Sequence, residues 1–316
     1  MSAIGRKTAD MGNRSGIINV YKEAGYTSFD VVARLRGILK IRKIGHTGTL
    51  DPGAVGVLPV CVGRATKVCD LLTDKDKEYE TTLLLGVETD TQDMTGTVLS
   101  SGDVTVSEDQ VKEVIRSYTG EISQIPPMYS ALKVNGQKLC DLARRGVEVE
   151  RKPRKVTIYG IEILKMDLPR ITMRVRCSKG TYIRTLCHDI GQALGCGGAM
   201  ESLTRTGVAD FRLEDAHTID EIQTMEQRGE LEKILLPVDR LFLSAPAFSV
   251  TAEGERLLAN GNPIRADRLL PREEEAQKAG NLFREGMAAR MYLPDGTFAG
   301  IYQWKENKFI PRKMFL

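Results

Sequence analysis

The sequence predicts an α+β fold, in which a largely antiparallel mixed sheet is flanked by helices and followed by a small β-rich domain. Strand-like and helix-like segments occur between residues 17 and 229 without the regular βαβ order of a parallel sheet. Near residue 245 the sequence pattern changes, and the remaining residues mainly show strand and turn signals. The length of 316 residues and the 41% hydrophobic content suit one large domain and one small one.

The elements of the large domain follow from periodicity and capping residues. Strands are predicted at 17–21, 55–62, 79–85, 156–164 and 171–177. Helices are predicted at 29–39 with Ser28 as N-cap, between Ser107 and Gly120, from 183 to Gly195, and between Thr218 and Gly229. Two of these helices begin with the residue pair of a capping box, Ser107 with Gln110 and Thr218 with Glu221.

The last seventy or so residues are expected to form the small domain. A hairpin is predicted where Asp295-Gly296 separates two strand-like runs at 287–293 and 297–304. Residues 270–285 are highly charged and are expected to form a loop or insertion. We therefore place the domain boundary between residues 1–245 and 246–316.

The composition excludes several classes of protein. No run of about 18 apolar residues predicts a membrane span, and the polar N-terminus does not look like a signal peptide, so we expect a cytoplasmic protein. Six cysteines without a Cys-x-x-Cys pair, together with three histidines, predict reduced thiols and no metal site.

The formal net charge of +3 is distributed unevenly along the chain. Residues 1–50 contain nine basic and three acidic residues, and 151–200 contain ten and three. Residues 51–150 and 201–250 are acidic, with ten basic against 17 acidic and five against ten. A polyanion could bind the basic blocks, although a solvated surface pattern would also explain the asymmetry.

The first candidate functional segment is Gly-His-Thr-Gly-Thr-Leu-Asp-Pro at residues 45–52. It places one carboxylate, that of Asp51, in a glycine-rich loop before a buried strand, and Pro52 restricts its backbone to extended conformations. The loop lacks the Gly-Lys-Ser/Thr of a phosphate-binding loop. A plain Gly/Asp turn is the competing interpretation.

Two further segments carry candidate residues. Residues 124–155 contain eight basic side chains, the two prolines that follow Ile125, and the aromatic residue Tyr129. This composition suits a projecting segment that grips a phosphate backbone, and it also suits a flexible loop without a ligand. Residues 174–184 read as a strand that passes through Ser-Lys-Gly into a helix, with Tyr182 and Arg184 in its first turns. Arginine at such a position can bind a carboxylate or a phosphate, or can simply lie on the surface.

Together these segments resemble the TruB-type tRNA pseudouridine-55 synthases. The resemblance covers roughly residues 16–240 in the family's order and spacing. The tail after residue 245 resembles, more weakly, a PUA domain, a small β-rich RNA-binding module. Cys140 stands where the family usually has tyrosine. The matching motifs are Lys22 with residues 25–28, 45–52 with 56–59, 63–67, 77–79, the Gly-x-x-Thr-Asp-Thr-x-Asp of 86–93, 124–136 with 143–146, and 177–184.

The resemblance implies a pseudouridine-synthase fold and isomerisation of uridine in the T loop of tRNA, after the base is flipped out of the loop. It implies that Asp51 is the nucleophile or base, that Arg184 pairs with it, and that Tyr79 stacks on the target base. It leaves a covalent or a glycal intermediate open, and it implies no cofactor and no metal. We expect a monomer that binds the T-stem loop through the residues His46, Lys22, Tyr182, Leu203, Lys133 and Arg144.

Three alternatives stand beside this interpretation. The protein could be the catalytic subunit of an RNA-guided pseudouridylation particle, although the 124–155 insertion favours the stand-alone enzyme. It could be a non-catalytic RNA-binding or RNA-folding protein, which Asp51 argues against. A phosphate-binding metabolic enzyme is disfavoured because the glycine-rich loop has no lysine and the chain has no cofactor signature.

Overall fold

The structure is a computed structural model that describes residues 14–272 and 283–316. Its helices are α1 (Ser28–Leu39), α2 (Cys69–Thr73), α3 (Glu108–Ser117), α4 (Leu139–Ala143), α5 (Ile183–Ala193), α6 (Ile219–Gln227) and α7 (Ala252–Ala259). Short 3-10 helices are Gly63–Val68, Leu213–Asp215, Leu231–Lys233, Val238–Phe242 and Ala266–Arg268.

The strands of the first 245 residues are β1 (Gly16–Lys22), β2 (Ile44–His46), β3 (Val55–Val62), β4 (Lys77–Leu85), β5 (Val87–Thr89), β6 (Val98–Ser101), β7 (Gly120–Gln124), β8 (Lys133–Val134), β9 (Gln137–Lys138), β10 (Arg154–Asp167), β11 (Arg170–Cys177), β12 (Gly198–Val208) and β13 (Phe211–Arg212). Those of the remainder are β14 (Ala247–Val250), β15 (Ile264–Arg265), β16 (Leu269–Pro271), β17 (Ala288–Tyr292), β18 (Phe298–Lys305) and β19 (Lys308–Met314).

A nine-stranded sheet forms the main body, in the order β1-β3-β12-β4-β11-β10-β7, with β2 beside β3 and β13 beside β12. Within it, among the described residues, only the β3–β12 pair is parallel. The expected mixed, largely antiparallel sheet flanked by helices is therefore confirmed. All the predicted strands are present, with ends that differ by a few residues.

Two layers of helices cover the sheet. Helices α1 and α6 pack on β1 and β3 through Val31, Leu35, Leu39, Ile219 and Ile222, all buried. Helices α3 and α5 pack on the central strands β4, β10 and β11 in a second core cluster. The apolar spacing of these helices explains this placement, because residues at i, i+3 and i+4 share one face.

One row of paired residues crosses the centre of the sheet. Lys22 of β1 pairs with Gly56 of β3, which pairs with Arg205 of β12, and Arg205 pairs on its other side with Tyr79 of β4. The β12–β4 register shifts just after Arg205, between it and Gly207. A bulge of this kind redirects neighbouring side chains. Two predicted site residues, Lys22 and Tyr79, thus lie on one row.

The helix ends correct two details of the sequence analysis. The N-cap of α1 is Thr27, whose hydroxyl accepts from the Asp30 N–H, and Ser28 is the first helical residue. Gly120 does not end α3, because the helix ends at Ser117 and Gly120 begins β7. The capping boxes at Ser107 and Thr218 are confirmed.

The C-terminal residues form a separate six-stranded sheet in the order β15-β19-β18-β17-β14-β16, and the hairpin at Asp295 is confirmed. Helix α7 was not predicted. Of the charged stretch 270–285, residues 273–282 lie outside the described residues. Phe315 is buried against β3 and the Gly63–Val68 turn, and Arg64 and Lys67 donate to the carbonyls of Phe315 and Met314 at 3.2 and 2.6 Å.

Candidate active site

Asp51 lies in the loop between β2 and β3, and this loop is held on both sides. Lys22, which is fully buried, donates from Nζ to the carbonyls of Ala54 and Pro52 at 2.5 and 3.2 Å. The Leu50 N–H donates to Ser28 Oγ at 2.9 Å. The structure therefore places Lys22 beneath the loop, where it contacts backbone carbonyls rather than the open surface.

The side chains of Asp51 and Arg184 meet in an ion pair. Arg184 Nε lies 3.1 Å from Asp51 Oδ2, and Nη2 lies 3.4 Å from Oδ1. The arginine side chain is only 7% exposed, whereas that of Asp51 is 36% exposed. The arginine of the pair is thus buried in the protein, whereas the carboxylate is accessible to a ligand.

Asp93, which was not among the predicted site residues, holds the other side of Arg184. Its Oδ2 lies 3.3 Å from Arg184 Nη1, and its Oδ1 accepts from the Thr91 hydroxyl at 2.8 Å and the Thr95 N–H at 3.0 Å. The carbonyls of Thr91 and Tyr129 also accept from the guanidinium, at 3.2 and 2.8 Å. Arg184 therefore has little freedom to move.

The charges around Asp51 oppose one another. Burial raises the pKa of its carboxyl, the Arg184 guanidinium lowers it, Asp93 raises it, and Lys22 lowers it, with burial dominant. Burial likewise lowers the pKa of Lys22 to about 8, which nearby Asp51 partly opposes. The aspartate is therefore poised so that loss of either cation would favour its protonated form.

Tyr79 and His46 approach the site from β4 and β2, and Arg205 lies between them. Tyr79 is 8% exposed, and burial raises the pKa of its phenol while the neighbouring Arg205 opposes the shift. Burial and then Arg205 lower the pKa of His46, so its imidazole is favoured in the neutral form. The Gly48 N–H donates to His46 Nδ1 at 3.3 Å, which leaves Nε2 to carry the proton.

Tyr182 is the N-cap residue of α5, two positions before Arg184. The Gln124 side chain, itself 1% exposed, holds its backbone by donating to the Tyr182 carbonyl at 3.2 Å and accepting from its N–H at 3.1 Å. Gln124, the first residue of the predicted insertion, thus fixes the start of the helix that carries Arg184. Leu203 of β12 is 8% exposed and packs in the core cluster that contains Tyr79.

Two basic residues of the insertion, Lys133 and Arg144, lie away from Asp51. Lys133 is exposed on the small β8–β9 hairpin, and Arg144 is exposed after α4, where it lies 3.7 Å from Asp141. Neither contacts Asp51 among the hydrogen bonds and ion pairs of the described residues. Cys140 lies in α4, with Sγ 3.8 Å from Asp141 Oδ1.

Two residues that were not predicted from the sequence, Asp93 and Arg205, complete the site. Asp93 ends the quoted Gly86 motif, so that motif was the available signal, whereas nothing in the pattern around Arg205 distinguishes it from other strand arginines. Among the described residues, no three His, Cys, Asp or Glu side chains are grouped to hold a metal ion. No helix in the described part of the chain has the length and hydropathy needed to cross a membrane.

Comparison with solved structures gives the class of protein. The chain matches one in the "Crystal Structure of a Cbf5-Nop10-Gar1 Complex" with a TM-score of 0.69 and 27% identity, covering 97% of this chain and 87% of that one. It matches one in the "Structure of H/ACA RNP bound to a substrate RNA containing 2'-deoxyuridine" with a TM-score of 0.67 and 25% identity, covering 95% and 85%. The fold is that of the pseudouridine synthases.

Sequence comparison gives the family. The model of the TruB family pseudouridylate synthase N-terminal domain matches residues 36–183, and that of the tRNA pseudouridylate synthase B C-terminal domain matches 184–243. A "tRNA pseudouridine synthase B" of Lachnoclostridium phytofermentans is 54% identical, covering 96% of this chain and all of that protein. One of Clostridium kluyveri is 42% identical, covering 95% and 99%. The chain belongs to the TruB family of pseudouridylate synthases.

Proposed function

We propose that this protein isomerises uridine to pseudouridine at position 55 in the T loop of tRNA, with Asp51 as the essential nucleophile or base. The observation that carries the proposal is the Asp51–Arg184 ion pair, buried on the arginine side and open on the aspartate side. The relatives named tRNA pseudouridine synthase B support tRNA as the substrate.

The reaction needs an ionised carboxylate beside the target nucleotide. The C1′–N1 bond breaks and its electron pair leaves with uracil, which turns so that C5 bonds to C1′; C5 then loses its proton and N1 gains one. Asp51 can assist by bonding to C1′ and leaving again when C5 bonds there, or by removing a sugar proton that returns to the same carbon after C5 has bonded. Both routes require the charged form. Arg184 favours that form against the effect of burial.

Recognition of the base falls to the residues around the pocket. Tyr79 presents an aromatic ring on the same row of the sheet as Arg205, and stacking on such a ring is worth about 1–3 kcal/mol per base. His46, favoured as neutral imidazole, suits contact with flipped-out loop nucleotides. Extrusion of the base from the T loop costs a few kcal/mol, which these contacts offset. Tyr182 and Leu203 complete the set that we assign to the pocket.

The RNA-binding surface extends beyond the pocket. We assign residues 124–155 to gripping the T-stem loop, because Lys133 and Arg144 project from that insertion and phosphates bind exposed cations. We assign residues 1–245 to the catalytic domain and 246–316 to a PUA-like RNA-binding domain, which the separate six-stranded sheet supports. A monomer in the cytoplasm is the form we expect.

An RNA-guided function is the second candidate, because the matched solved structures are of H/ACA RNP and Cbf5 complexes. The curated relatives, with greater identity, favour the stand-alone enzyme. The two candidates differ in whether the purified protein needs any other component.

One experiment tests the proposal. Purified protein is incubated alone with an unmodified tRNA transcript, and pseudouridine is mapped at each position. We expect product at position 55 with the wild type and none with Asp51→Asn. Absence of product with the wild type would refute the stand-alone enzyme, product at other positions would refute the assigned site, and equal product from Asp51→Asn would refute its role.

A further inference from the structure

Arg205 is a buried cation that has no carboxylate partner in the part of the chain that the structure describes. It is 1% exposed, and its Nε donates to the Val57 carbonyl at 2.7 Å while Nη2 donates to the Gly48 carbonyl at 3.3 Å. Among the described residues, no Asp or Glu lies within ion-pair distance of it. Burial of an arginine without a counter-ion is costly, so its retention in the core calls for a function.

The contacts of Arg205 join the separate parts of the site. Gly48 belongs to the loop that carries His46 and Asp51, and Val57 belongs to β3, into which that loop runs. On the other side, Arg205 pairs through its backbone with Tyr79, and its guanidinium interacts with the phenol of that tyrosine. One residue thus contacts both the Asp51 loop and the ring assigned to base stacking.

The backbone around Arg205 is fitted to this arrangement. Gly56 has a φ of +106°, and a Cβ added there would lie 2.3 Å from the Arg205 carbonyl oxygen. A Cβ on Gly48 would lie 3.6 Å from Arg205 Nη1. Gly56 is therefore required for β12 to approach β3 closely enough for the guanidinium to reach both carbonyls.

We propose that Arg205 is a positioning residue for the isomerisation, which sets the Asp51 loop against Tyr79 and supplies unneutralised positive charge beside the uracil. This inference rests on the proposed function. When the C1′–N1 bond breaks, uracil departs with the electron pair and carries negative charge. A fixed cation that no carboxylate neutralises stabilises that charge more than it stabilises the neutral base, and this difference accelerates the reaction.

Four variants separate the parts of the proposal. Arg205→Lys keeps the charge and loses the planar fork, Arg205→Gln keeps donors and loses the charge, and Arg205→Met loses both. Arg212→Met is the matched control, because Arg212 also donates to backbone carbonyls, those of Ala209 and Phe211, at a position exposed to solvent. The single-turnover rate constant is measured at saturating tRNA transcript, together with the Kd for the transcript and the Tm.

We expect Arg205→Met to lower the rate constant by about 100-fold, as loss of a preorganised electrostatic group does. The rate constant of Arg205→Gln should be closer to that of Arg205→Met than to that of the wild type, and the rate constant of Arg205→Lys should be about tenfold above that of Arg205→Met. The Kd for the transcript should change by less than about threefold in each variant. Arg212→Met should keep the wild-type rate. A wild-type rate constant in folded Arg205→Gln would overturn the charge role, and a loss confined to Kd would overturn the proposal as a whole.

Two provisions keep the test decisive. If the neutral variants fail to fold, Arg205→Lys still retains the buried charge. A wild-type rate constant for Arg205→Lys would overturn the positioning role of the guanidinium and its several donors. The chain has three histidines, so the His46 titration can be followed by NMR. Loss of the Arg205 charge should raise the pKa of His46, and an unchanged pKa would contradict the position of the Arg205 guanidinium near His46. This readout remains valid even where the wild type makes no pseudouridine, which would refute the proposed function alone.

Discussion

Replacement of Asp93 by asparagine tests whether the buried carboxylate behind Arg184 serves the reaction. Asparagine retains an oxygen for the Thr91 hydroxyl and the Thr95 N–H, but its amide would then face Arg184 Nη1, which is also a donor. The guanidinium thus loses one charge-assisted hydrogen bond, worth about 1.5–3 kcal/mol. If that energy is used to hold Arg184 on Asp51, the single-turnover rate constant falls roughly 10- to 100-fold.

The pH dependence of the rate gives a second, signed readout. Asp93 raises the pKa of Asp51 and Arg184 lowers it, while burial raises it most. Because Asp51 acts in its ionised form, activity is lost as the pH falls through its pKa. Asp93→Asn should therefore move the acidic limb of the pH–rate profile to lower pH, and Arg184→Gln should move it to higher pH.

Asp90→Asn is the matched control. Asp90 lies in the same turn, is exposed, and accepts from the Thr97 N–H at 2.8 Å without contacting Arg184, so its variant should keep the wild-type rate and profile. Single-turnover assays between pH 5 and 9 on one tRNA transcript, with Tm measured in parallel, supply the comparison. An Asp93→Asn enzyme with the wild-type rate constant would refute this account of the Asp51–Arg184–Asp93 cluster, whereas an acidic limb at higher pH would show that the weaker hold on Arg184 outweighs the lost charge of Asp93.

Three further predictions concern the strand contacts, the C-terminal sheet and the RNA surface. Gly56→Ala should lower the free energy of unfolding by about 2–4 kcal/mol in denaturant titrations, since its Cβ would overlap the Arg205 backbone at positive φ. Gly180→Ala, also at positive φ but with open space around the added Cβ, should lower the free energy of unfolding by less than Gly56→Ala does. Phe315→Ala should lower the free energy of unfolding by about 3–5 kcal/mol and should speed proteolysis between the two sheets. An unchanged rate of proteolysis would contradict the packing of Phe315 against β3 and the Gly63–Val68 turn. Lys133→Gln and Arg144→Gln should each reduce the slope of log Kd against log salt by about 0.7–0.9 for tRNA binding, and an unchanged slope would exclude the phosphate contact.

The elements of the large domain that were predicted have local signals, whereas strands β7 and β12 were not predicted. The capping boxes at Ser107 and Thr218 and the run of strand-forming residues in β4 depend on residues within a few positions of one another. The N-cap at Thr27 was missed because Ser28 is an equally good capping residue by type. Only the fold decides between them, since Ser28 Oγ instead accepts from the Leu50 N–H.

The site was predicted in part, and the limits have a physical cause. Asp51 and Arg184 were paired through a family resemblance, since residues 133 positions apart give no local sign of contact. Asp93 was quoted within a motif but given no role, because its contact with Arg184 depends on how the 91–95 turn packs against α5. Arg205 drew no attention because no strand was predicted over residues 198–208, where β12 lies. Its position inside the sheet comes from pairing with β3 on one side and β4 on the other, which no spacing along the chain reveals.

The β3–β12 pair explains why the site lies where it does. Each of the other pairs in the large sheet is antiparallel among the described residues, and this parallel one joins the β1–β3 half, which carries the Asp51 loop, to the half that carries Tyr79. The distance from aspartate to tyrosine therefore depends on two registers that meet at Arg205, its pairing with Gly56 and its pairing with Tyr79. A slip of one residue would send the Arg205 side chain to the opposite face of the sheet. The hydrogen bonds of the guanidinium to Gly48 and Val57 favour the observed register over that alternative, so the same residue specifies the strand pairing and the geometry of the site.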